Sequence, residues 1–490
     1  METLISIKPL LAVLVALIGS VFIVVAGRKP NLREAVTFIT GFIVLGLVGS
    51  MLKPVLSGQV IEYNLVQILP NVGFLFRVDA FGLLFAMVAS ILWIVTSLYS
   101  IGYMRAHHEP SQTRFYSFFA IAIASAIGVA FSGNLLTLYL FYEVLSLSTY
   151  PLVTHNQNPE SKRAGRKYLT YLMGGSIGLF LPALILVYYY TGTLDFAAGG
   201  ILSGHVTMGM LTVMFFLFLF GIGKAAVMPV HSWLPSAMVA PTPVSSLLHA
   251  VAVVKVGVFS TLRVFLWIYG PETMRWAHLD TLILIFASVT IIVASLFAMR
   301  QDNLKARLAY STVGQLSYII LACGLLVLSG VKGGMLHIAM HAFGKITLFF
   351  CAGAILVHTG YTNVSQMRGL GWRMPVTMTA FFIGSLSVIG LPPMGGFLSK
   401  WYLALGSIES GHTWVMIVIL TSSILNAAYF LPITYNAFFV KPVDDVVVDE
   451  APIWTVLPPV FTALVSFWLF LNPSFFLSLA QMAAKAVLGG

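Results

Sequence analysis

The chain has little charge and almost no cysteine. Charged residues make up 9% of its 490 residues, and its only cysteines are Cys323 and Cys351. A soluble protein carries about 25% charged residues, so an ordinary soluble enzyme is excluded. Two cysteines isolated in apolar runs provide neither a disulfide framework nor a metal-binding pattern. The net charge of +10 is not gathered into a long basic run, so it does not indicate nucleic-acid binding.

Long apolar runs dominate the chain instead. Hydrophobic residues make up 59% of it, and its length suits about fourteen membrane helices of roughly 20 core residues each. The sequence therefore predicts an all-α polytopic membrane protein with no soluble domain. The predicted helices, numbered 1 to 14, cover residues 4–26, 34–52, 80–101, 115–131, 134–154, 167–190, 208–230, 243–268, 277–299, 305–328, 332–358, 376–404, 414–438 and 452–472.

Three segments need a separate interpretation. The first 30 residues are expected to form a retained helix, because their apolar run is too long for a signal peptide and ends in basic residues. Residues 60–78 alternate on either side of Pro70–Asn71 and predict a hairpin at the membrane surface. Residues 475–488 are amphipathic and are expected to lie at the membrane interface.

The distribution of basic residues predicts the orientation. Loops that follow odd-numbered helices hold most of the basic residues that lie outside helices, including Arg28, Arg105, Arg163 and Arg300. Because basic loops remain in the cytoplasm, both termini are predicted to lie outside. We expect the multi-pass inner membrane of a bacterial or archaeal cell.

The predicted membrane interior contains more bases than acids. It holds Lys224, Lys255, Lys345 and Lys400, but Glu143 is the one acid well inside a span. An ionisable group within a membrane is a functional hypothesis by default. Because desolvation disfavours the charged form of lysine, buried lysines can become proton carriers near neutral pH. Arg263, near the end of predicted helix 8, is interpreted as a residue that snorkels to the interface.

Two membrane helices are predicted to be broken. Residues 221–235 read GIGKAAVMPVHSWLP, and residues 389–401 read IGLPPMGGFLSKW. Proline removes a backbone donor and interrupts a helix, and transporters place ion sites at such interruptions. Lys224 and Lys400 each lie beside one break. The alternative for Lys224 is a side chain that snorkels to the interface.

Titratable residues lie between the two breaks. Predicted helix 8 carries His249 and Lys255, and predicted helix 11 carries His337, His341 and Lys345. The i, i+4, i+8 spacing of the last three places them on one helical face. A single buried histidine is commonly a packing residue, but five such groups favour a proton pathway. Predicted helix 10 adds polar side chains that can hold water, which are Tyr310, Ser311, Thr312, Gln315 and Ser317.

Several motifs together resemble a known family. They are FYEVLSLSTY, GKAAVMPVHSWLPSAMVAPTPVSSLLHAVAVVKVGVF, DNLKARLAYSTVGQLSYI, HIAMHAFGKITLFFCAG and GLPPMGGFLSKW. The chain resembles, over about residues 75–440, the antiporter-like subunits shared by complex I, membrane-bound hydrogenases and Mrp-type cation/proton antiporters. The resemblance implies fourteen helices, inverted repeats of helices 4–8 and 9–13, and a place in a multisubunit complex. The corresponding regions are residues 1–110, 111–270, 271–440 and 441–490, which are the first three helices with the hairpin, the two repeats, and helix 14 with the tail.

The resemblance also implies roles for single residues. Glu143 matches the glutamate that pairs with the helix-7 lysine, which is Lys224 here. Lys255 matches the residue that connects two half-channels, and Lys400 matches the residue that ends the axis. The histidines that match the same route are His249, His337 and His341.

The branch within the family remains open between two alternatives. Lysine at position 400 and an end soon after helix 14 favour the D subunit of Mrp antiporters or its hydrogenase equivalent. The alternative is a proton-pumping membrane subunit of a complex I-like NADH:quinone oxidoreductase or of a membrane-bound hydrogenase. We expect other integral membrane subunits as partners, and protons as the ion, with sodium handled elsewhere in the complex.

No cofactor, metal or redox centre of its own is predicted, although the chain can belong to a redox complex. A stand-alone solute carrier is a third alternative. In the preferred hypothesis, the Glu143–Lys224 ion pair opens and closes. Opening releases a proton toward Lys255, the helix-11 histidines and Lys400.

Overall fold

The computed structural model describes residues 2–247, 251–440 and 447–489. Within these ranges, eleven helices are long and apolar enough to cross a membrane. Three shorter apolar helices accompany them, over Met208–Gly221, Pro375–Ile389 and Ser474–Leu488. The prediction of a helical membrane protein is confirmed.

The helices follow one another closely along the chain. They are α1 (Lys8–Val25), α2 (Pro30–Ser50), α3 (Leu52–Leu56), α4 (Ala80–Ala106), α5 (Gln112–Ala130), α6 (Leu135–Val153), α7 (Pro159–Gly175), α8 (Leu181–Thr191), α9 (Met208–Gly221), α10 (Trp233–Ser236), α11 (Thr242–Ser246), α12 (Val253–Arg263), α13 (Pro271–Trp276), α14 (Leu279–Arg300), α15 (Leu304–Leu325), α16 (Leu328–Thr359), α17 (Leu370–Arg373), α18 (Pro375–Ile389), α19 (Gly395–Glu409), α20 (Trp414–Phe439), α21 (Ile453–Leu471) and α22 (Ser474–Leu488). Helix α16 is the longest of these, and it is buried among α15, α18, α19, α21 and α22.

A small sheet contains the predicted hairpin. Strands β2 (Val60–Leu69) and β3 (Val72–Val78) are antiparallel, and they turn at Pro70–Asn71. Strand β1 (Thr3–Ile5) pairs in parallel with β2. The first helix was predicted to begin at residue 4, and this was wrong: residues 3–5 are extended because β2 provides their hydrogen-bond partners, and α1 begins at Lys8.

Predicted helix 6 begins earlier than the sequence indicates. Helix α7 begins at Pro159, after Asn158, whose side chain accepts a hydrogen bond from the Ser161 amide. Its first turns are too polar to show apolar periodicity. A π-helical segment, Ser176–Phe180, joins α7 to α8.

The C-terminal helix α22 does not lie alone on a membrane surface. Its apolar face, which includes Phe476, Leu479 and Ala483, is buried against α4 and α16. These two helices therefore cover the face that was expected to lie at the membrane interface.

Both predicted interruptions are present. Helix α9 ends at Gly221, and the chain passes through Ala226, with φ of 54°, before α10 begins. Helix α18 ends at Ile389, followed by Gly390 with φ of 88°, and α19 begins at Gly395. A positive φ is favourable for glycine but unusual for alanine. Each interruption leaves free carbonyl groups at a helix end.

The basic loops lie on one face of the bundle. Arg105 Nη2 bonds Glu34 at the start of α2. Arg114 donates to the His155 carbonyl, and Lys305 donates to the Ala240 carbonyl. These contacts join the loops on one side of five helices. Assignment of this face to the cytoplasm remains a prediction from charge.

Candidate functional site

Lys224 lies in the break after α9 and is completely buried. Its ammonium group donates to the Tyr142 carbonyl at 2.9 Å and to Ser146 Oγ at 2.6 Å. It also lies 3.1 Å from the centroid of the Tyr142 ring. The interpretation as a snorkelling residue is therefore wrong, because polar and aromatic groups of α6 hold the ammonium inside the protein.

Glu143, the predicted partner of Lys224, is half-buried and does not form an ion pair with it. Tyr142 and Ser146 are four residues apart on one face of α6, whereas Glu143 is about 100° away around the helix. Its carboxylate is closed to solvent and lies near Ser176 in the π-helical segment. The two predicted partners are apart in this structure, because Lys224 is held by the adjacent face of the same helix.

The middle of the site is a row of buried side chains, and Lys255 is its first member. Its ammonium nitrogen lies 2.7 Å from His341 Nδ1. The His341 ring stacks on His337 with 5.6 Å between centroids. His337 Nδ1 lies 2.8 Å from Ser399 Oγ on α19. All four side chains are buried, so the row crosses from α12 through α16 to α19 without reaching solvent.

Lys400 ends this row beside the second break. It is 4% exposed, and its ammonium group donates to the carbonyls of Val388 at 3.0 Å and Ile389 at 2.9 Å. Both carbonyls belong to the last turn of α18. The ammonium also lies 4.6 Å from the centroid of the Tyr318 ring, which is 5.7 Å from the His337 ring. Aromatic and carbonyl groups thus bring Lys400 next to the histidines.

The remaining predicted residues lie outside the direct row. Lys345 is completely buried on α16, and its ammonium nitrogen has no hydrogen-bond partner within the described parts of the chain. It lies 5.5 Å from the centroid of the Phe430 ring. His249 lies outside the described residues. The site as described therefore contains seven of the predicted residues, which are Glu143, Lys224, Lys255, His337, His341, Lys345 and Lys400.

A glycine brings the first break close to the row. A Cβ atom at Gly257 on α12 would lie 2.2 Å from the Lys224 carbonyl carbon and 2.2 Å from the Ala225 amide nitrogen. Only a residue without a side chain permits this approach. Because Lys255 precedes Gly257 by two residues, the backbone at Lys224 packs directly against the helix that carries Lys255.

Several contributing residues were not predicted. Tyr142, Ser146, Tyr318 and Ser399 contact the lysines and histidines of the site. Each is an ordinary helical residue, and its spacing from its partner in the sequence carries no signal. On α15, the predicted Ser311 accepts a hydrogen bond from Tyr429 instead.

Arg263 was predicted to snorkel, and this was wrong. It is 2% exposed, and its guanidinium group bonds both oxygens of Asp79 at 2.7 and 2.6 Å. Four aromatic rings surround it, those of Phe81, Phe196, Phe259 and Trp267. Because Asp79 also accepts a hydrogen bond from the Gly82 amide, the pair joins the start of α4 to the end of α12.

The geometry suits proton transfer. A neutral imidazole accepts a proton at one nitrogen and donates one from the other, and His337 and His341 each have Nε2 without a partner among the described residues. A buried amine and a hydroxyl stand next to them. Among the described residues, no group of three or more His, Cys, Asp or Glu side chains is arranged to hold a metal ion.

Comparison with known proteins assigns the family. Residues 132–426 match the family described as NADH:quinone oxidoreductase/Mrp antiporter, TM. The chain belongs to this family. Residues 69–116 match a second family, described as NADH-Ubiquinone oxidoreductase (complex I), chain 5 N-terminus.

Named relatives lie on more than one branch of the antiporter-like family. The N subunit of NADH-quinone oxidoreductase from Desulforudis audaxviator is 30% identical over 446 residues, which cover 88% of this chain and 86% of the relative. The A/B subunit of a probable K(+)/H(+) antiporter from Rhizobium meliloti is 31% identical over 88% of this chain. The alignment covers 44% of that relative, so this chain spans about half the length of such antiporter-like relatives.

Two solved structures have the same fold. A chain of the membrane-bound sulfane sulfur reductase, an archaeal respiratory membrane complex, has a TM-score of 0.89 and 26% identity, over 99% of this chain and 98% of that one. A chain of the Mrp complex from Dietzia sp. has a TM-score of 0.88 and 22% identity, over 98% of this chain and 97% of that one. Both come from multisubunit membrane complexes. This antiporter-like chain is therefore expected beside other integral membrane subunits.

Proposed function

We propose that this antiporter-like subunit moves protons within a multisubunit membrane complex, and that the complex is an Mrp-type monovalent cation/proton antiporter with this chain as its D subunit. The observation that supports proton movement is the buried row from Lys255 through His341 and His337 to Ser399 and Lys400. The antiporter names among its relatives and the Mrp fold match support the branch.

The alternative function is a proton-pumping membrane subunit of a complex I-like NADH:quinone oxidoreductase or of a membrane-bound hydrogenase. The relative from NADH-quinone oxidoreductase and the respiratory-complex structure favour it. Both functions use the same row of side chains, and they differ in the subunits that drive it.

In the proposed mechanism, Lys224 loads a proton while Glu143 approaches it and stabilises the ammonium. When Glu143 withdraws, Tyr142 and Ser146 hold the ammonium without a counter-charge. The proton then passes to Lys255 across the contact at Gly257, and through His341 and His337 toward Lys400. Water bridges the gaps that are too long for direct hydrogen bonds.

The first experiment measures proton flux in membrane vesicles that contain the assembled complex. Lys224→Ala and Glu143→Gln should each reduce flux by about a hundredfold, the lower end of the contribution of a positioned acid or base. Lys53→Ala is the matched control, because Lys53 is exposed on α3. Normal flux in an assembled Lys224→Ala complex would overturn the proposal.

The second experiment identifies the branch. An affinity tag on the assembled complex is used to purify it from native membranes, and mass spectrometry identifies the other subunits. Co-purified subunits of the Mrp antiporter type support the Mrp assignment. Flavin or iron–sulfur subunits support the alternative, and an isolated chain that transports alone would contradict both.

A further inference from the structure

Side chains from several elements meet at Glu109, on the face that carries the basic loops. Glu109 lies in the loop between α4 and α5. Its Oε1 lies 3.2 Å from His107 Nδ1, and its Oε2 lies 3.8 Å from His155 Nε2. His107 follows α4, and His155 follows α6. Lys305, at the start of α15, adds a positive charge that acts on Glu109. None of these groups belongs to the row described above.

The three side chains of the cluster differ in exposure to solvent, from His107 on the outside to His155 on the inside. The His107 side chain is 45% exposed, that of Glu109 is 9% exposed, and that of His155 is 0% exposed. The His155 ring lies beside the Pro110 backbone, which acts on it as a hydrogen-bond partner, and its Nε2 faces the Glu109 carboxylate. A buried neutral imidazole next to a carboxylate can relay a proton, because it accepts at one nitrogen and donates from the other.

Side chains of α5 hydrogen-bond to the backbone of the loops that hold the cluster. Gln112 Nε2 donates to the carbonyls of Met104 at 3.1 Å and Glu109 at 3.2 Å. Arg114 Nη2 donates to the His155 carbonyl at 2.7 Å. These bonds connect the backbones of the two loops to α5, so the loops that carry the three titratable side chains lie next to each other.

The electrostatic surroundings suit proton capture. Burial raises the pKa of Glu109 above its ordinary value, although the charges of His107 and Lys305 act in the opposite direction. Burial and the nearby Arg114 lower the pKa of His155 to about 4. Glu109 therefore binds a proton at a higher pH than an exposed glutamate, while His155 stays neutral and can pass a proton on.

The inner side of the cluster adjoins the segment that leads to Lys255. The Tyr103 ring stacks on His107 with 5.6 Å between centroids, and its hydroxyl lies beside Thr242, the first residue of α11. Lys305 donates to the carbonyl of Ala240 at 2.5 Å. The other hydroxyls of α11 are completely buried, at Ser245 and Ser246.

We propose that Glu109, with His107 and His155, is the site at which the chain collects protons from the compartment on the basic side before they reach the buried lysines, Lys224 and Lys255. This inference rests on the proposed function. A proton leaves a hydronium ion or a buffer acid and forms an O–H bond on Glu109. That bond then breaks as the proton passes through His155 or water toward the hydroxyls of α11.

The test uses inverted membrane vesicles of the assembled complex, in which the predicted cytoplasmic face meets the buffer. The initial rate of proton uptake is measured over a range of buffer pH. Glu109→Gln should slow uptake by about tenfold in alkaline buffer, the lower end of the local enrichment that a charged cleft provides. The rate in mildly acidic buffer should stay close to that of the unmodified complex, because free protons are then abundant.

Glu109→Asp keeps the carboxyl group and should restore much of the alkaline rate. Glu160→Gln is the matched control, since Glu160 is an exposed acid of α7 on the same face, and it should leave the pH profile unchanged. An unchanged profile in an assembled Glu109→Gln complex overturns the inference. Equal slowing at every pH also overturns it, because that result indicates a purely structural role.

If Glu109→Gln prevents assembly, the same measurement is made on His107→Gln, which should assemble because the His107 side chain is half-exposed. A slower proton uptake that is confined to alkaline buffer supports the inference. A pH profile equal to that of the unmodified complex overturns it. Lys224→Ala measured in parallel separates the two proposals. If it retains full flux, the proposed function fails; if it abolishes flux while the Glu109→Gln profile is normal, only the collecting site fails.

Discussion

Lys255 and His341 share one short hydrogen bond, with 2.7 Å between Nζ and Nδ1, although 86 residues separate them in the chain. The bond joins α12 to α16 at the centre of the bundle. Either group can be its donor, because an amine and an imidazole can each donate or accept. Two protonated partners would repel each other at this distance, so the pair favours a single shared proton.

The first prediction concerns this pair. His341→Ala should reduce proton flux by about tenfold or more, because a positioned proton-transfer group contributes at least that much. His341→Gln, which offers an acceptor oxygen but does not titrate, should be similarly slow. Flux in vesicles of the assembled complex is the measurement, and His205→Ala, at an exposed loop histidine, is the control. Normal flux in His341→Gln would show that the proton bypasses the imidazole.

The second prediction concerns the contact between His337 and Ser399. Ser399→Ala removes the hydroxyl 2.8 Å from His337 Nδ1 and should slow flux by about threefold to tenfold, the effect of losing a buried hydrogen bond of about 1 kcal/mol. Ser399→Thr keeps the hydroxyl and should remain near the unmodified rate. Ser407→Ala removes another buried hydroxyl of α19, and its rate should not change. Equal loss in both alanine variants would mean that helix packing is responsible.

The third prediction concerns Gly257. Gly257→Ala places a methyl group 2.2 Å from the Lys224 backbone, so α12 or the break must move. Overpacking of this kind costs about 1–3 kcal/mol. We expect a lower melting temperature of the complex and slower proton flux. Gly46→Ala is the control, because nothing lies within 4 Å of a Cβ atom there. An unaltered melting temperature for Gly257→Ala would contradict the described packing.

The fourth prediction concerns the buried pair of Asp79 and Arg263. Asp79→Asn leaves the guanidinium without its counter-charge inside an aromatic cage and should destabilise the complex by about 3 kcal/mol. Burial acts to raise the pKa of Asp79, but Arg263 outweighs it and holds the pKa below its ordinary value.

A carboxyl group with a lowered pKa stabilises the fold above its unfolded pKa of about 4, and this contribution disappears as the pH falls through the lower folded value. The difference in melting temperature between the unmodified complex and Asp79→Asn should therefore be constant near neutral pH. It should narrow below about pH 4. A difference that widens on acidification would contradict the assigned ion pair.

The sequence predicted the features that depend on composition and local chemistry. Apolar runs predicted the long helices, and the prolines and glycines near Lys224 and Lys400 predicted both breaks. The spacing of His337, His341 and Lys345 predicted that they share one face of a helix. By contrast, β1 has only three residues, too few for a recognisable alternation, and the polar first turns of α7 hid its start at Pro159.

The contacts within the site could not be predicted in the same way. Ser399 meets His337, and Tyr142 meets Lys224, because of how separate helices pack and rotate. Neighbouring residues of α6 face different directions, so Glu143 and Ser146 could not be ranked as partners of Lys224 from the sequence alone. Arg263 looked like an interfacial residue because its partner, Asp79, lies 184 positions away.

The lysines beside the two breaks, Lys224 and Lys400, are acted on by negative groups of different kinds. Lys400 rests on the carbonyl ends of α18, and a helix end carries a fixed partial negative charge that no change of pH can remove. The charged group that acts on Lys224 is Glu143, a carboxylate that can be neutralised by one proton. The field at Lys400 is therefore permanent, whereas the field at Lys224 changes when Glu143 takes up a proton. The two ends of the site are electrically unequal, and only the end at Lys224 responds to the protonation of a side chain.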